Sequence, residues 1–253
     1  MRGRSTLSYE DDLRARLKRP MRYFQRVDST QDIALAWISE GAEAGSVVIA
    51  DEQMRGRGRG GRVWHTPPDV AIALSFVLKP RTPALTHVMM AGALAIALMA
   101  ESISRSSARV SIKWPNDVRL NGRKISGVLP EAIWRDGRLQ GIALGIGINI
   151  RNQFDDTELA LIATSIEAEI GGRVERPAIV ADVVARLDDW SGWLGSERLH
   201  RAWYERLDTI GQQVEINGIR GTATGANADG ALLVRSVDGV THTVLAGDLN
   251  ETG

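Results

Sequence analysis

Residues 53–64 carry arginine at positions 55, 57, 59 and 62 and glycine at 56, 58, 60 and 61, with Gln53 and Trp64 at the ends and no acidic side chain. Arginine presents planar sets of donors to phosphate or carboxylate. Glycine lets backbone N–H groups come close to a ligand. Four cations on one short loop repel one another, and a bound polyanion relieves that repulsion. The plainer reading is a solvated basic loop or an RGG-like nucleic-acid tail. Such a tail belongs at a terminus, whereas this stretch lies between two hydrophobic, strand-like runs.

Further chemistry-bearing groups fall at strand ends and loops: Asp28-Ser29-Thr30, Lys113-Trp114-Pro115-Asn116-Asp117, Lys124 with Gly127, and Gly145, Gly147 and Asn149. Loops and strand ends on a rigid sheet are where functional groups gather. Together they suggest an electropositive cleft for a phosphorylated ligand. The chain has no GxxxxGK[ST] run and no GxSxG elbow, and its closely spaced glycines lie in a strand rather than opening a helix. Taken singly, each residue has a plainer role. Lys124 reads as a surface strand lysine, Asp117 as a cap on the Pro115 turn, Asn149 as a backbone partner at a sheet end and Ser29 as an N-cap. Trp114 reads as packing and Trp64 as a ligand-ordered wall.

These groups need a frame. Strands are expected at residues 21–27, 46–50, 70–78, 109–114, 124–134 and 139–150, with the arginine stretch as the loop after the second. Helices are expected at 9–17, 84–103, 157–170, 178–193 and 196–207. Ser29 and Asp32 have capping-box spacing before an apolar stripe of Ile33, Trp37 and Ile38. Asn121-Gly122 and Asp136-Gly137 are two-residue hairpin signals. Pro130 inside a strand signals an edge or a bulge. After Asp208 the texture changes to short strands at 212–216, 220–225, 231–237 and 240–245, separated by Asn-Gly and Asp-Gly turns. This is the pattern of a small SH3-like or other partly open barrel, and so short a segment is expected to lean on the larger domain.

Composition narrows the classes. Lys+Arg and Asp+Glu are both 31 in 253 residues, so bulk charge predicts no nucleic-acid partner. Apolar residues make up 43%, which excludes a disordered chain. There is no cysteine, which excludes thiolate catalysis and disulfides and suits a reducing, cytoplasmic setting. The four histidines are scattered, so a metal held by protein side chains alone is not expected. The start lacks a secretory signal. The longest apolar run, residues 88–100, is too short for a bilayer and reads as a buried helix.

Over residues 22–245 the chain resembles the biotin protein ligases. The markers are Asp28-Ser29-Thr30-Gln31, Glu52-Gln53, the GRGRGGR run from Gly56 to Arg62 with Trp64, Lys113 to Asp117, Gly122-Arg123-Lys124 followed by Gly127 and Glu131, and Gly145 to Asn149. The resemblance implies an α+β fold: a mixed-sheet catalytic domain of the biotin/lipoate ligase type with flanking helices, over residues 21–209, and an SH3-like C-terminal barrel over 210–253. Residues 1–20 form an N-terminal extension. The resemblance also implies ATP and biotin as substrates with a Mg²⁺ requirement, formation of biotinyl-5'-AMP, and transfer to a lysine of a biotin carboxyl carrier protein. Ser29, Thr30, Gln53, Arg57, Lys124 and Gly127 would bind biotin. Arg59, Arg62, Trp64, Asn116, Asp117, Lys124 and Asn149 would bind ATP or the adenylate. Lys124, Arg57 and Asp117 would be catalytic, and Asp117 would assist the metal, directly or through water. Many members carry an N-terminal DNA-binding repressor domain. Only some 20 residues precede the catalytic start here, so a ligase without specific DNA binding is expected, as monomer or homodimer and without a membrane partner. Lipoate-protein ligase is the nearest enzymatic rival, and a nucleic-acid-binding module is the rival from another class.

Overall fold

A computed structural model of the chain describes residues 7–81, 85–104, 106, 108–155 and 157–251. Helix α1 (Tyr9–Leu17) leads into β1 (Met21–Val27), α2 (Thr30–Ser39) and β2 (Val47–Arg57). A 3₁₀ turn at Arg59–Gly61 connects to β3 (Val63–Thr66), followed by β4 (Ala71–Leu78) and the long α3 (Leu85–Ile103). Strands β5 (Val110–Lys113), β6 (Asp117–Leu120), β7 (Arg123–Arg135) and β8 (Arg138–Asn149) follow as a meander. Helices α4 (Ile166–Ile170), α5 (Arg176–Ser191) and α6 (Glu197–Tyr204) lead to β9 (Gln213–Ile216), β10 (Ile219–Ala226), β11 (Leu232–Ser236), β12 (Thr241–Val244) and β13 (Asn250–Glu251).

The main sheet runs β1-β2-β4-β8-β7-β6-β5, with β3 paired to β2. Only β1 and β2 are parallel; the other pairs are antiparallel. Its hairpins are written in local chemistry. Asn121 and Gly122 have φ of 52° and 83°, and Asp136 and Gly137 have 50° and 71°. Two successive positive φ values suit the twist of the flanking strands. At Pro130, β7 pairs with β8 on one side while β6 ends opposite Gly127, so the missing N–H lies on a part of the strand that β6 does not reach.

The strand period of two sorts side chains onto two faces. Val47, Ile49, Ile72, Leu74 and Phe76 join the large core under α3, α5 and α6, while Val48 and Val77 pack with Ala34 and Ile38 of α2. Helix α3 is 19 residues, longer than its apolar run suggests, and long and apolar enough to cross a bilayer by composition alone. Here it is the core helix: Val88, Leu94, Ile96 and Met99 are fully buried.

Three expectations are corrected. The C-terminal segment is not a closed SH3-like barrel. It is an open five-stranded sheet, β12-β11-β10-β9-β13, with β12 and β13 at its edges. Its apolar face, Val214, Ile216, Leu232, Val234 and Val244, is continuous with the main core, so it is covered without closing on itself. The arginine stretch is not a free loop, because β2 continues to Arg57 and pairs back with β3. The helix expected at 157–170 is confined to Ile166–Ile170. Leu159, Leu161 and Ile162 are exposed, so this segment has no apolar stripe to bury and runs as turns.

Candidate active site

Gly127 on β7 lies opposite Gly147 on β8, which in turn lies opposite Ala73 on β4. This row of small residues lets side chains from other strands lie directly on the sheet. The Trp64 indole, brought by the β2–β3 hairpin, lies on Gly147 so closely that a methyl group there would overlap it; Cζ2 would be 2.6 Å from the added carbon. Lys124 Nζ sits 5.4 Å from the Trp64 ring centroid and 2.7 Å from Asp117 Oδ1. Asp117 faces Gly127 across the β6–β7 ladder, and a Cβ on Gly127 would come within 3.3 Å of both Lys124 Nζ and Asp117 Oδ1. Glycine at 127 and 147 therefore lets a lysine, a carboxylate and an indole gather directly against the sheet. The backbone of Lys124 is fixed independently of its charge: its N–H donates to Ile162 O and its carbonyl accepts from Thr164 N.

A polar network lies under the start of α2. Gln53 Oε1 accepts from Thr30 N at 2.8 Å and from Thr30 Oγ1 at 2.9 Å. Ser29 caps the helix through Gln31 N at 3.2 Å. Ser75 Oγ lies 2.9 Å from Thr30 Oγ1 and 3.1 Å from Gln31 Oε1, so its one proton serves both acceptors, and Gln31 Nε2 donates to the carbonyls of Leu129 and Ala143. Ser29, Thr30, Gln31 and Ser75 are buried, so each hydrogen bond is needed to offset desolvation. The chain thus holds a pre-set group of donors and acceptors against an otherwise apolar sheet.

The arginines divide their work. Arg57 donates to Asp32 Oδ1 at 2.5 Å and to Glu131 Oε2 at 2.8 Å. Burial acts against its charge, but these two hydrogen bonds outweigh it and its pKa stands above the ordinary arginine value. Arg59 donates to Asn116 Oδ1 at 3.2 Å and to the Gly247 carbonyl at 3.1 Å. Burial depresses its pKa, against the pull of Asp248 and Asp117. Arg62 turns outward to Asp248 Oδ1 at 2.5 Å. Asn116 is buried, and its amide also donates to Val128 O at 2.7 Å. Asn149, at the end of β8, donates to the Thr164 carbonyl at 3.1 Å.

Lys124, Asp117, Gly127 and Trp64 thus form one cluster, with Arg59 of the 3₁₀ turn tied to Asn116 on the neighbouring β5–β6 turn. Ser29, Thr30 and Gln53 belong to the polar network, Arg57 stands with Asp32 and Glu131, and Asn149 is linked to Lys124 through Thr164. Arg62 binds the C-terminal segment. Sequence reasoning did not assign Gln31, Ser75, Asp32 or the Gly247-Asp248 pair, nor Thr66, whose hydroxyl accepts from Gln53 Nε2 at 3.4 Å. Ser75 carried a readable signal: it is the one polar residue in the otherwise apolar β4. Among the described residues no three His, Asp or Glu side chains group to hold a metal, so Asp117 could act only as an auxiliary ligand.

Comparison with known proteins fits this geometry. The model of the biotin/lipoate A/B protein ligase family matches residues 23–149. The biotin–[acetyl-CoA-carboxylase] ligase of Paracoccus denitrificans is 32% identical over 230 residues, covering 85% of this chain and 93% of that protein. The bifunctional ligase/repressor BirA of Bacillus spizizenii is 30% identical over 228 residues, covering 86% of this chain and 70% of that protein. The biotin protein ligase from Aquifex aeolicus, solved in complex with biotin and ATP, superposes with a TM-score of 0.80 at 26% identity, covering 92% of this chain and 100% of that one. The Leishmania major enzyme in complex with biotinyl-5-AMP superposes with a TM-score of 0.59 at 25% identity, covering 90% and 99%. The chain belongs to the biotin/lipoate A/B protein ligase family, among its biotin protein ligases.

Proposed function

We infer that the chain activates biotin with ATP and transfers it to a protein lysine. A biotin carboxylate oxygen attacks the α-phosphorus of ATP, the bond to the β-phosphate oxygen breaks, and pyrophosphate leaves with the electron pair. The product is biotinyl-5'-AMP. The uncharged amine of an acceptor lysine then attacks the acyl carbon, AMP departs, and the amide nitrogen loses its proton.

The first step brings two anions together, so cations must offset their repulsion. In our reading Lys124 meets the carboxylate and the α-phosphate, and Arg57 meets the acyl phosphate. The observation that carries this is the placement of Lys124 beside Asp117, over the paired glycines and against Trp64. Ser29, Thr30 and Gln53 take the polar ring of biotin alongside Gly127. Arg59, Arg62, Asn116 and Asn149 serve the nucleotide, and Trp64 walls the adenylate. The chemistry Mg²⁺ would supply, carried on the ATP phosphates, is partial neutralisation of their charge. Asp117, already balanced by Lys124, is the carboxylate available to support it.

The acceptor is a carrier domain of the biotin-dependent kind. We assign residues 21–209 to catalysis and 210–253 to support of the nucleotide side. Gly247 and Asp248 reaching Arg59 and Arg62 support that division. The cysteine-free sequence supports a cytoplasmic setting. Incubation with biotin, MgATP and an apo carrier domain, followed by intact-mass measurement, tests the reading. A biotin-sized gain on the carrier is expected. A gain with lipoate in place of biotin would reassign the substrate.

A further inference from the structure

Arg57 stands at the end of β2, where the strand leaves the sheet for the hairpin, and an arginine there has many rotamers to choose from. Two carboxylates from separate elements remove that choice. Asp32 lies in the first turn of α2 and takes Nη1; Glu131 lies on β7 and takes Nη2. Both stand on a rigid base. Gln31, next to Asp32, bonds the carbonyls of Leu129 and Ala143, and Ala143 is the ladder partner of Glu131. Asp32 has the spacing of a helix-capping partner, yet among the described residues it makes no bond back to the Ser29 N–H; its carboxylate is turned to Arg57 instead. Guanidinium has five N–H donors, and this clamp uses two of them. The others remain for an anion.

We propose that Asp32 and Glu131 are positioning residues that hold Arg57 in the orientation in which it meets the acyl phosphate. The proposal rests on the ligase reading and on Arg57 acting in adenylation. The clamp places a net negative charge at the site, so it serves geometry rather than attraction for the substrate. Its loss therefore falls on the chemical step more than on ground-state binding.

The test is biotin-dependent pyrophosphate–ATP exchange with the full chain, comparing E131A, E131Q, D32N, R57A and R57A/E131A, with thermal melting as the control for folding. E131A is expected to lower kcat about tenfold while KM for biotin and ATP moves less than about threefold. E131Q and D32N keep an acceptor for the guanidinium and are expected to recover most of the rate. R57A/E131A is expected to match R57A, because Glu131 acts only through Arg57. If E131A leaves kcat unchanged, if E131Q is as damaged as E131A, or if E131A costs as much in the R57A background, the clamp is wrong while the ligase reading stands. Should E131A fail to fold, E131Q and D32N decide: a kcat as low as that of R57A refutes the clamp. Full activity of R57A removes the assignment on which the clamp rests, and absence of any exchange by the unmodified protein removes the ligase reading itself.

Discussion

Replacing Gly147 with alanine tests whether the glycine row exists to seat Trp64. Gly147 is bonded into the sheet on both sides, to Gly127 and to Ala73, so its backbone cannot retreat. Its φ is not positive, so alanine is allowed there and the strain comes from contact alone. The added methyl overlaps the Trp64 indole at Cε2 and Nε1, and the yielding part is the β2–β3 hairpin that carries it. An overpacking substitution costs about 1–3 kcal/mol. Converted to an equilibrium, that is roughly a 5- to 150-fold shift toward the hairpin with its indole unseated. Trp64 belongs to neither buried core cluster, so thermal stability should change little. Arg55, Arg57, Arg59 and Arg62 are trypsin sites, which makes the cleavage rate of the hairpin a direct readout. Faster cleavage and weaker pyrophosphate exchange at subsaturating ATP are expected. Trp64→Ala combined with Gly147→Ala should be no worse than Trp64→Ala alone, since the clash needs both partners. Unchanged cleavage together with unchanged exchange in Gly147→Ala would refute the reasoning.

Lys124→Ala should slow pyrophosphate exchange by about 10²–10³. Its melting temperature should stay near that of the unmodified chain, because the strand bonds of residue 124 use only backbone; near-normal exchange would reject the role. Trp114→Phe removes the indole donor to the Gly230 carbonyl, made at 2.8 Å between the end of β5 and the β10–β11 turn of the C-terminal sheet. Leaving that buried carbonyl unpaired should cost about 1–3 kcal/mol in urea denaturation, and an unshifted midpoint would mean the bond contributes nothing. Glu169 is pulled two ways: burial raises its pKa, but hydrogen bonds from Asn121, Thr164 and Arg123 outweigh this and lower it below the ordinary carboxylate value. A lowered folded pKa means stability present above the unfolded pKa and lost as pH falls through the folded one. Glu169→Gln should therefore destabilise at neutral pH, with the gap closing in acid; a gap independent of pH would show that its charge is not what matters.

Much of the frame was legible because it follows from local chemistry. Asn121-Gly122 and Asp136-Gly137 fix two hairpins through positive φ; the first sets Lys124 and Gly127 across from β6 and Asp117, and the second sets Gly147 beside Gly127. The chemistry-bearing residues were legible as a set, because arginines, glycines and a lysine at strand ends have few structural reasons to occur together. What was not legible depends on partners distant in the chain. The hairpin strand at residues 51–57 lacks an apolar alternation, and it forms because β1 and β3 supply its partners. The closure of the C-terminal sheet could not be read either. Short strands and Asp-Gly turns state how hairpins turn, not whether the last strand returns to the first, and here the main core covers the apolar face that a barrel would have enclosed.

The first turn of α2 shows how a local rule fails where function begins. Ser29 and Asp32 have the spacing of a reciprocal cap, and the sequence alone favours both arms. One arm forms, from Gln31 N to Ser29 Oγ. The other is given up: Asp32 is drawn to Arg57 instead of turning back to the Ser29 N–H, while the free N–H of Thr30, at the first helical position, is satisfied by Gln53 from β2. Both bonds span more than twenty residues, and the one from Asp32 stands in place of a bond within three. The exchange ties the helix end to the two strand positions, 53 and 57, that face the proposed biotin and phosphate sites. A helix start stabilised by its own cap would be independent of the hairpin. One stabilised by Gln53 and Arg57 responds to whatever those residues bind, so a departure from local preference, with the partner that replaces it, identifies the contacts through which ligand and fold are coupled.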